Sequence, residues 1–76
     1  MAIKKKTGDL KTQFGARLQG LRRAAQMTQE QLADQAGVTV DTISHIERGI
    51  HGPRFDKLEL IAKALDMPVA KLFDFS

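Results

Sequence analysis

The sequence predicts an all-α fold, a compact bundle of five helices in a single domain. Apolar residues recur every three or four positions in successive segments, and no segment alternates at the two-residue period of a strand. Helix-capping residues and glycines separate these segments. The chain has 76 residues and no cysteine, so a small apolar core has to stabilise it without disulfides or a thiolate zinc site.

The first helix is predicted over residues 10–25. Asp9 or Thr7 can cap its start. Gly15 and Gly20 each weaken it by about 1 kcal/mol relative to alanine, unless a neighbouring segment has to approach closely there. The apolar positions of this helix are Leu10, Phe14, Leu18, Leu21 and Ala25.

The second helix begins after Thr28, because Thr28 and Gln31 have the spacing of a capping box. Gly37 suits the left-handed residue that ends such a helix. Its inner face is formed by Leu32, Ala33 and Ala36.

The third helix follows almost at once, since only Val38 and Thr39 separate it from Gly37. Thr39 caps this helix and Gly49 ends it. Two short helices joined this tightly cannot lie antiparallel. We therefore predict that they cross steeply, as a helix-turn-helix over about residues 29–48.

A loop containing Pro53 leads to a fourth amphipathic helix over about residues 55–65. Pro68 suits the first position of a short fifth helix. The apolar positions of the fourth helix are Phe55, Leu58, Ile61, Ala62 and Leu65, and those of the fifth are Val69, Leu72 and Phe73.

The net charge of +3 is unevenly distributed. Residues 1–25 hold seven Lys or Arg and one Asp, whereas residues 26–76 hold five basic and eight acidic residues. This asymmetry favours a basic arm or face that meets a polyanion, although a solvated basic tail is the simpler alternative. We interpret residues 1–9, with Lys4, Lys5 and Lys6, as a flexible basic arm before a domain of residues 10–76. No apolar stretch is long enough for a secretory signal or a membrane span.

From about Phe14 to Phe73 the chain resembles the lambda-repressor-like helix-turn-helix family, the Cro/cI or xenobiotic-response-element type. The resemblance rests on LRRAAQMTQEQLADQAGVTVDTISHIERG and on PRFDKLELIAKALDMPVAKLF. It implies a helix-turn-helix DNA-binding domain. It also implies a buried ion pair between Arg22 and Glu47, where two solvated charges are the alternative.

The resemblance further implies that the third helix, about residues 40–48, enters the DNA major groove. The candidate base-contacting residues are Val40, Asp41, Ser44 and His45. Val40 can pack against a thymine methyl, and Asp41 can accept from a cytosine amino group. Ser44 can donate or accept a hydrogen bond, and His45 can hydrogen-bond guanine. The alternative for each residue is ordinary surface exposure. Asp41 can instead stabilise the helix dipole, and His45 can instead contact Asp41 one turn earlier.

Phosphate contacts are expected at helix starts and at exposed basic residues. The candidates are Thr28, Gln29, Thr39, Thr42, Arg48, Arg54 and Arg17. Solvated charge is the alternative for Arg48 and Arg17. The resemblance makes Phe55 a partly buried structural residue.

An enzyme is not expected. Ser44 and His45 are adjacent on one helix, so their side chains diverge and cannot act as a nucleophile and base. His45 and His51 have no matching metal ligands nearby in the sequence. There is no phosphate-binding loop or dinucleotide fingerprint, so neither a cofactor nor a small-molecule ligand is predicted.

The predicted function is sequence-specific binding of double-stranded DNA by a transcriptional regulator, of the repressor, phage or restriction-control kind. We expect a cytoplasmic, nucleoid-associated homodimer on a palindromic operator, joined through the fourth and fifth helices and Phe75. The alternative is an antitoxin or adaptor of the same fold that mainly binds a protein. The few residues outside the predicted helices favour the regulator over this alternative.

Overall fold

The computed structural model describes residues 9–75, which form four α-helices and one 3-10 helix. The α-helices are α1 (Leu10–Ala24), α2 (Gln29–Ala36), α3 (Val40–Glu47) and α4 (Phe55–Ala64). The 3-10 helix is Val69–Phe73. The all-helical class is confirmed. Residues 1–8, which include the lysines of the predicted arm and Thr7, lie outside the described residues.

The fifth element corrects the prediction of a five-α-helix bundle. The backbone N–H of Lys71 donates to the carbonyl of Pro68 over 3.0 Å, and that of Asp74 donates to the carbonyl of Lys71 over 3.4 Å. These bonds span three residues rather than four, as in a 3-10 helix. The element contains only five residues after Pro68, too few to gain much from α-helical bonds.

Side-chain caps set the starts of the first three helices. Asp9 caps α1 by accepting from the Thr12 N–H over 3.1 Å. Hydrogen bonds from the Thr12 side chain and backbone lower the pKa of the Asp9 carboxyl. Thr28 and Gln31 form both bonds of a capping box at α2, 3.0 and 2.8 Å long. Gly37 ends α2 in the left-handed conformation, at φ 73°, and Thr39 caps the start of α3. Residues next to one another in the sequence thus define the boundary between the two helices.

The core lies where α1, α2, α3 and α4 meet, and the 3-10 helix closes one side of it through Leu72. α1 approaches α3 closely at Gly15. A Cβ atom at Gly15 would overlap the carbonyl oxygen of Ile46 and would lie 2.8 Å from that of Glu47. The buried apolar residues are Phe14, Leu18, Leu32, Ala33, Ala36, Ile43, Ile46, Leu58, Ile61, Ala62, Leu65 and Leu72.

Three apolar residues that were expected in the core are exposed to different extents. Phe55, predicted to be partly buried, is 86% exposed. It is the first residue of α4, and the buried face of that helix begins only at Leu58. Leu10 is likewise the first residue of α1 and is 58% exposed. Phe73 is 39% exposed and packs its ring against Phe14 at 5.0 Å between centroids.

Candidate nucleic-acid interface

α2 and α3 form a tight pair joined by three residues. Ala33 is buried on α2, which packs against both α3 and α4, so its small side chain permits close helix packing. Ile43 and Ile46 are buried on the inner face of α3, and Val38 packs against the same core. This packing fixes which side of α3 faces outward.

Three charged and polar side chains tie α3 to its neighbours. The Arg22 guanidinium donates to both carboxylate oxygens of Glu47, with Nε–Oε2 and Nη2–Oε1 distances of 2.6 and 3.1 Å. Gln29 Nε2 donates to Oε1 of the same carboxylate over 3.0 Å. Arg22 also donates to the carbonyl of Met27 over 2.7 Å. Both charged side chains are buried, so this network orients α3 relative to α1 and α2.

The outward edge of α3 carries the four candidate base-contacting residues. Val40 is 38% exposed and Asp41 is exposed, while Ser44 and His45 are half-buried. They bring together an apolar group, a carboxylate, a hydroxyl and an imidazole. We call Val40, Asp41, Ser44 and His45 the reading edge.

The structure adds His51 to this region. His51 lies in the loop after α3, with its ring edge-on to that of His45 and 5.5 Å between the centroids. From the sequence, His51 is a candidate only for metal binding, and no matching ligands are near it. Its place beside His45 depends on the path of the loop, which has no local sequence signal. Within residues 9–75, no three His, Cys, Asp or Glu residues are grouped to hold a metal ion.

The candidate phosphate-contacting residues at the helix starts have partners within the protein. Thr39 accepts from the Thr42 N–H over 3.1 Å, and the two hydroxyls share a hydrogen bond of 2.8 Å. Thr28 is engaged in its capping box, and Gln29 donates one amide hydrogen to Glu47. Gln29 therefore keeps a second amide hydrogen for another acceptor. A depression at this end of α2 is also lined by Glu30.

The candidate arginines differ in their surroundings. Arg48 follows α3 and Arg54 precedes α4, and both are exposed. Arg17, in contrast, donates from Nε and Nη2 to the carbonyl of Lys71, over 3.1 and 3.0 Å. The guanidinium of Arg17 thus connects α1 to the 3-10 helix.

The geometry is that of a helix-turn-helix domain, and comparisons with known proteins agree. The family model described as a helix-turn-helix domain matches residues 13–72. The chain is 40% identical over 60 residues to RghRB, an uncharacterised HTH-type transcriptional regulator of Bacillus subtilis. It is 36% identical over 59 residues to another uncharacterised HTH-type transcriptional regulator, from Mycobacterium tuberculosis.

The structure is also similar to the restriction-modification controller protein C.AhdI from Aeromonas hydrophila. The TM-score is 0.81 and the identity 33%, over 83% of this chain and 96% of that chain. The chain therefore belongs to the helix-turn-helix family of DNA-binding transcriptional regulators, and the resemblance to the Cro/cI type is confirmed.

The matched region covers 78% of this chain but only 43% of the Bacillus relative and 42% of the Mycobacterium relative. The chain therefore spans less than half the length of these curated relatives. Among residues 9–75, no helix has the length and apolar character needed to cross a membrane.

Proposed function

We propose that this protein is a sequence-specific regulator of transcription that inserts α3 into the major groove of double-stranded DNA. The observation that carries the proposal is the outward-facing reading edge on a helix whose opposite face is buried and held by Glu47. An orientation fixed by buried contacts lets a few side chains meet base edges in one register. A repressor of the phage or restriction-control kind, working at the nucleoid in the cytoplasm, fits this arrangement.

The reading edge offers a limited set of base contacts. Val40 can pack against a thymine methyl, and Asp41 can accept a hydrogen bond from a cytosine amino group. Ser44 can donate or accept, and His45 can donate to guanine N7 or O6. None of the four is Arg, Asn or Gln, the side chains that make bidentate contacts with purines. We therefore expect modest direct readout, supplemented by the shape of the DNA.

Phosphate contacts supply most of the affinity in this proposal. Arg48 and Arg54 bring exposed charge from the two ends of the loop that follows α3. The side-chain amide of Gln29 and the hydroxyls of Thr28, Thr39 and Thr42 add uncharged donors at the starts of α2 and α3. Arg17 is left out of this set, because its guanidinium holds the 3-10 helix.

We further propose that two copies bind a palindromic operator. A two-fold dimer presents two reading edges to half-sites whose centres are one duplex turn, about 34 Å, apart. The similarity to a restriction-modification controller protein supports a regulator of this size.

Selection from random DNA duplexes tests the proposed function. The purified chain should enrich one sequence, and a Val40→Ala/His45→Ala variant should lose that preference while keeping weak general DNA binding. Lys63→Ala, an exposed change on α4, is the matched control and should select the same sequence as the unaltered chain. No enriched sequence, or an unchanged preference in the double variant, would contradict the assignment of the reading edge.

The alternative function, an antitoxin or adaptor that mainly binds a protein, is favoured by one observation, the exposed apolar side chains of Leu10 and Phe55. Affinity purification from the native host separates the two functions. A stoichiometric complex with one other protein, together with no DNA selectivity, would favour the alternative.

A further inference from the structure

The loop after α3 begins with its backbone hydrogen-bonded to α3. The N–H of Ile50 donates to the carbonyl of His45 over 3.0 Å. Gly49 lies between the two residues at φ 74°, so this bond is that of a Schellman helix end. The loop also lies against α1, since a Cβ atom at Gly49 would be 3.2 Å from the Cα atom of Thr12. The residue directly before His51 is therefore bonded to the backbone of His45 itself.

The rings of His45 and His51 form an edge-to-face pair. Their centroids are 5.5 Å apart, and the ring planes meet at 73°. Aromatic rings attract one another in this arrangement, because the positive edge of one ring meets the negative face of the other. His45 is half-buried, whereas His51 is exposed. His51 thus contacts the reading edge from the loop while remaining open to solvent.

The orientation of the His45 ring decides which bases it suits. The torsion that turns a histidine ring about its Cβ–Cγ bond is broad and roughly two-fold, so the rotamer alone does not fix the ring. A neutral imidazole has one nitrogen that donates and one that accepts. A donor facing the groove suits N7 and O6 of guanine, whereas an acceptor suits the amino groups of adenine and cytosine. A ring that turns freely therefore tolerates several base pairs, and a ring held in one orientation distinguishes between them.

We propose that His51 is a positioning residue for base recognition. Its ring holds that of His45 in one orientation and thereby sharpens the preference at the base pair that His45 contacts. The inference rests on the proposed function, because it concerns how the reading edge discriminates between bases. His51 acts here through His45 and not through a base contact of its own.

Binding to single-base-pair variants of the selected duplex tests this role. Fluorescence anisotropy with His45→Ala should identify one base pair whose preference depends on His45. His51→Ala should reduce discrimination at that same base pair by about fivefold, since an edge-to-face contact contributes a factor of roughly two to ten. Discrimination at the other base pairs should change by less than about twofold. Unchanged discrimination at the His45 base pair, or an equal loss of affinity for every duplex, would overturn the proposal.

Two further variants separate positioning from direct contact. His51→Phe keeps an aromatic ring beside His45 but has no nitrogen to bond DNA, so it should recover most of the discrimination that His51→Ala loses. The double variant without either histidine should discriminate as His45→Ala does, because the two residues act as a unit. Ile50→Ala is the matched control, an exposed change in the same loop that should retain the preference. No recovery in His51→Phe, or a further loss in the double variant, would show an independent DNA contact and overturn the proposal.

NMR of the free protein measures the ring contact without DNA. A nuclear Overhauser effect should connect ring protons of His45 and His51, and His51→Ala should shift the ring resonances of His45. The absence of both effects would overturn the proposal whatever the DNA titrations show. A chain that selects no DNA sequence contradicts the proposed function and this inference with it. A chain that selects a sequence, with the same preferences in His51→Ala, contradicts only this inference.

Discussion

Gly15 lies where the backbone of α1 meets the carbonyl end of α3. A methyl group there would overlap the Ile46 carbonyl oxygen, and backbone cannot move aside as a flexible side chain can. We predict that Gly15→Ala lowers the free energy of unfolding by about 2 kcal/mol. Gly20→Ala is the control in the same helix: no heavy atom lies within 4 Å, so it should raise stability by up to about 1 kcal/mol. Urea denaturation measures both, and effects of the same sign would contradict the close approach.

Replacing Arg54 removes one positive charge from the proposed phosphate-contacting surface. It is exposed directly before α4 and makes no side-chain capping hydrogen bond. Arg54→Ala should weaken binding to all duplexes similarly and reduce the slope of log K against log salt by about 1. Lys63→Ala, on the opposite end of α4, should leave the slope unchanged. Titrations at several salt concentrations measure the slope, and an equal slope for Arg54→Ala would remove Arg54 from the interface.

Single side chains were the least predictable part of the molecule. Phe55 fits a helical apolar pattern, but at the first position of α4 its side chain is largely exposed. Arg17 is a candidate phosphate contact in the sequence, with solvated charge as the alternative, whereas its guanidinium donates to a backbone carbonyl 54 positions later. Sequence spacing reports the face of a helix on which a residue lies, but not which distant segment covers that face.

At the scale of elements, the end of α1 depends on a residue in an unfavourable backbone conformation. Gln26 has φ 60°, a left-handed region that side chains other than glycine rarely adopt. We predict that Gln26→Gly raises the midpoint of thermal unfolding, corresponding to about 0.5–1 kcal/mol. Gly37→Ala replaces a left-handed glycine with a residue that has a side chain, at the end of α2 where φ is 73°. It should therefore lower the midpoint of thermal unfolding. A lower midpoint for Gln26→Gly would show that its side chain is needed there.

Glu47 connects three elements, because its carboxylate accepts from Arg22 on α1 and Gln29 on α2. Glu47→Ala leaves the Arg22 guanidinium buried without its counter-ion. The free energy of unfolding should fall by about 3 kcal/mol. The exposed Glu59→Ala should change it by less than about 0.5 kcal/mol. Guanidinium unfolding measures both, and similar effects of the two changes would indicate that the buried pair contributes little to docking α3.

Element boundaries were predictable where local chemistry sets them. The capping box at Thr28 and Gln31 and the left-handed glycines at 37 and 49 belong to short sequence patterns, and the structure contains them. The 3-10 geometry after Pro68 was not predictable in the same way. Apolar residues at 69, 72 and 73 fit an α-helical or a 3-10 turn equally well, and the element has only five residues, too few for α-helical hydrogen bonds to be favoured.

At the scale of the whole molecule, most of the positive charge lies outside the helix-turn-helix. The helix-turn-helix lies in residues 26–76, which carry a net charge of −3, whereas residues 1–25 carry +6. In the proposed function, a field of this kind would orient the protein on the DNA polyanion, and the reading edge would discriminate between bases. The sequence predicted the fold and the candidate edge. It could not predict the His45–His51 contact, because that contact depends on the path of the loop after α3.

The most direct test of the account compares two duplexes in one titration. Fluorescence anisotropy at about 0.15 M salt should give a Kd for the selected duplex at least about 1,000-fold lower than for a permuted duplex of the same composition. Both affinities should fall steeply as salt rises. Equal affinities for the two duplexes at every salt concentration would contradict sequence-specific recognition by α3.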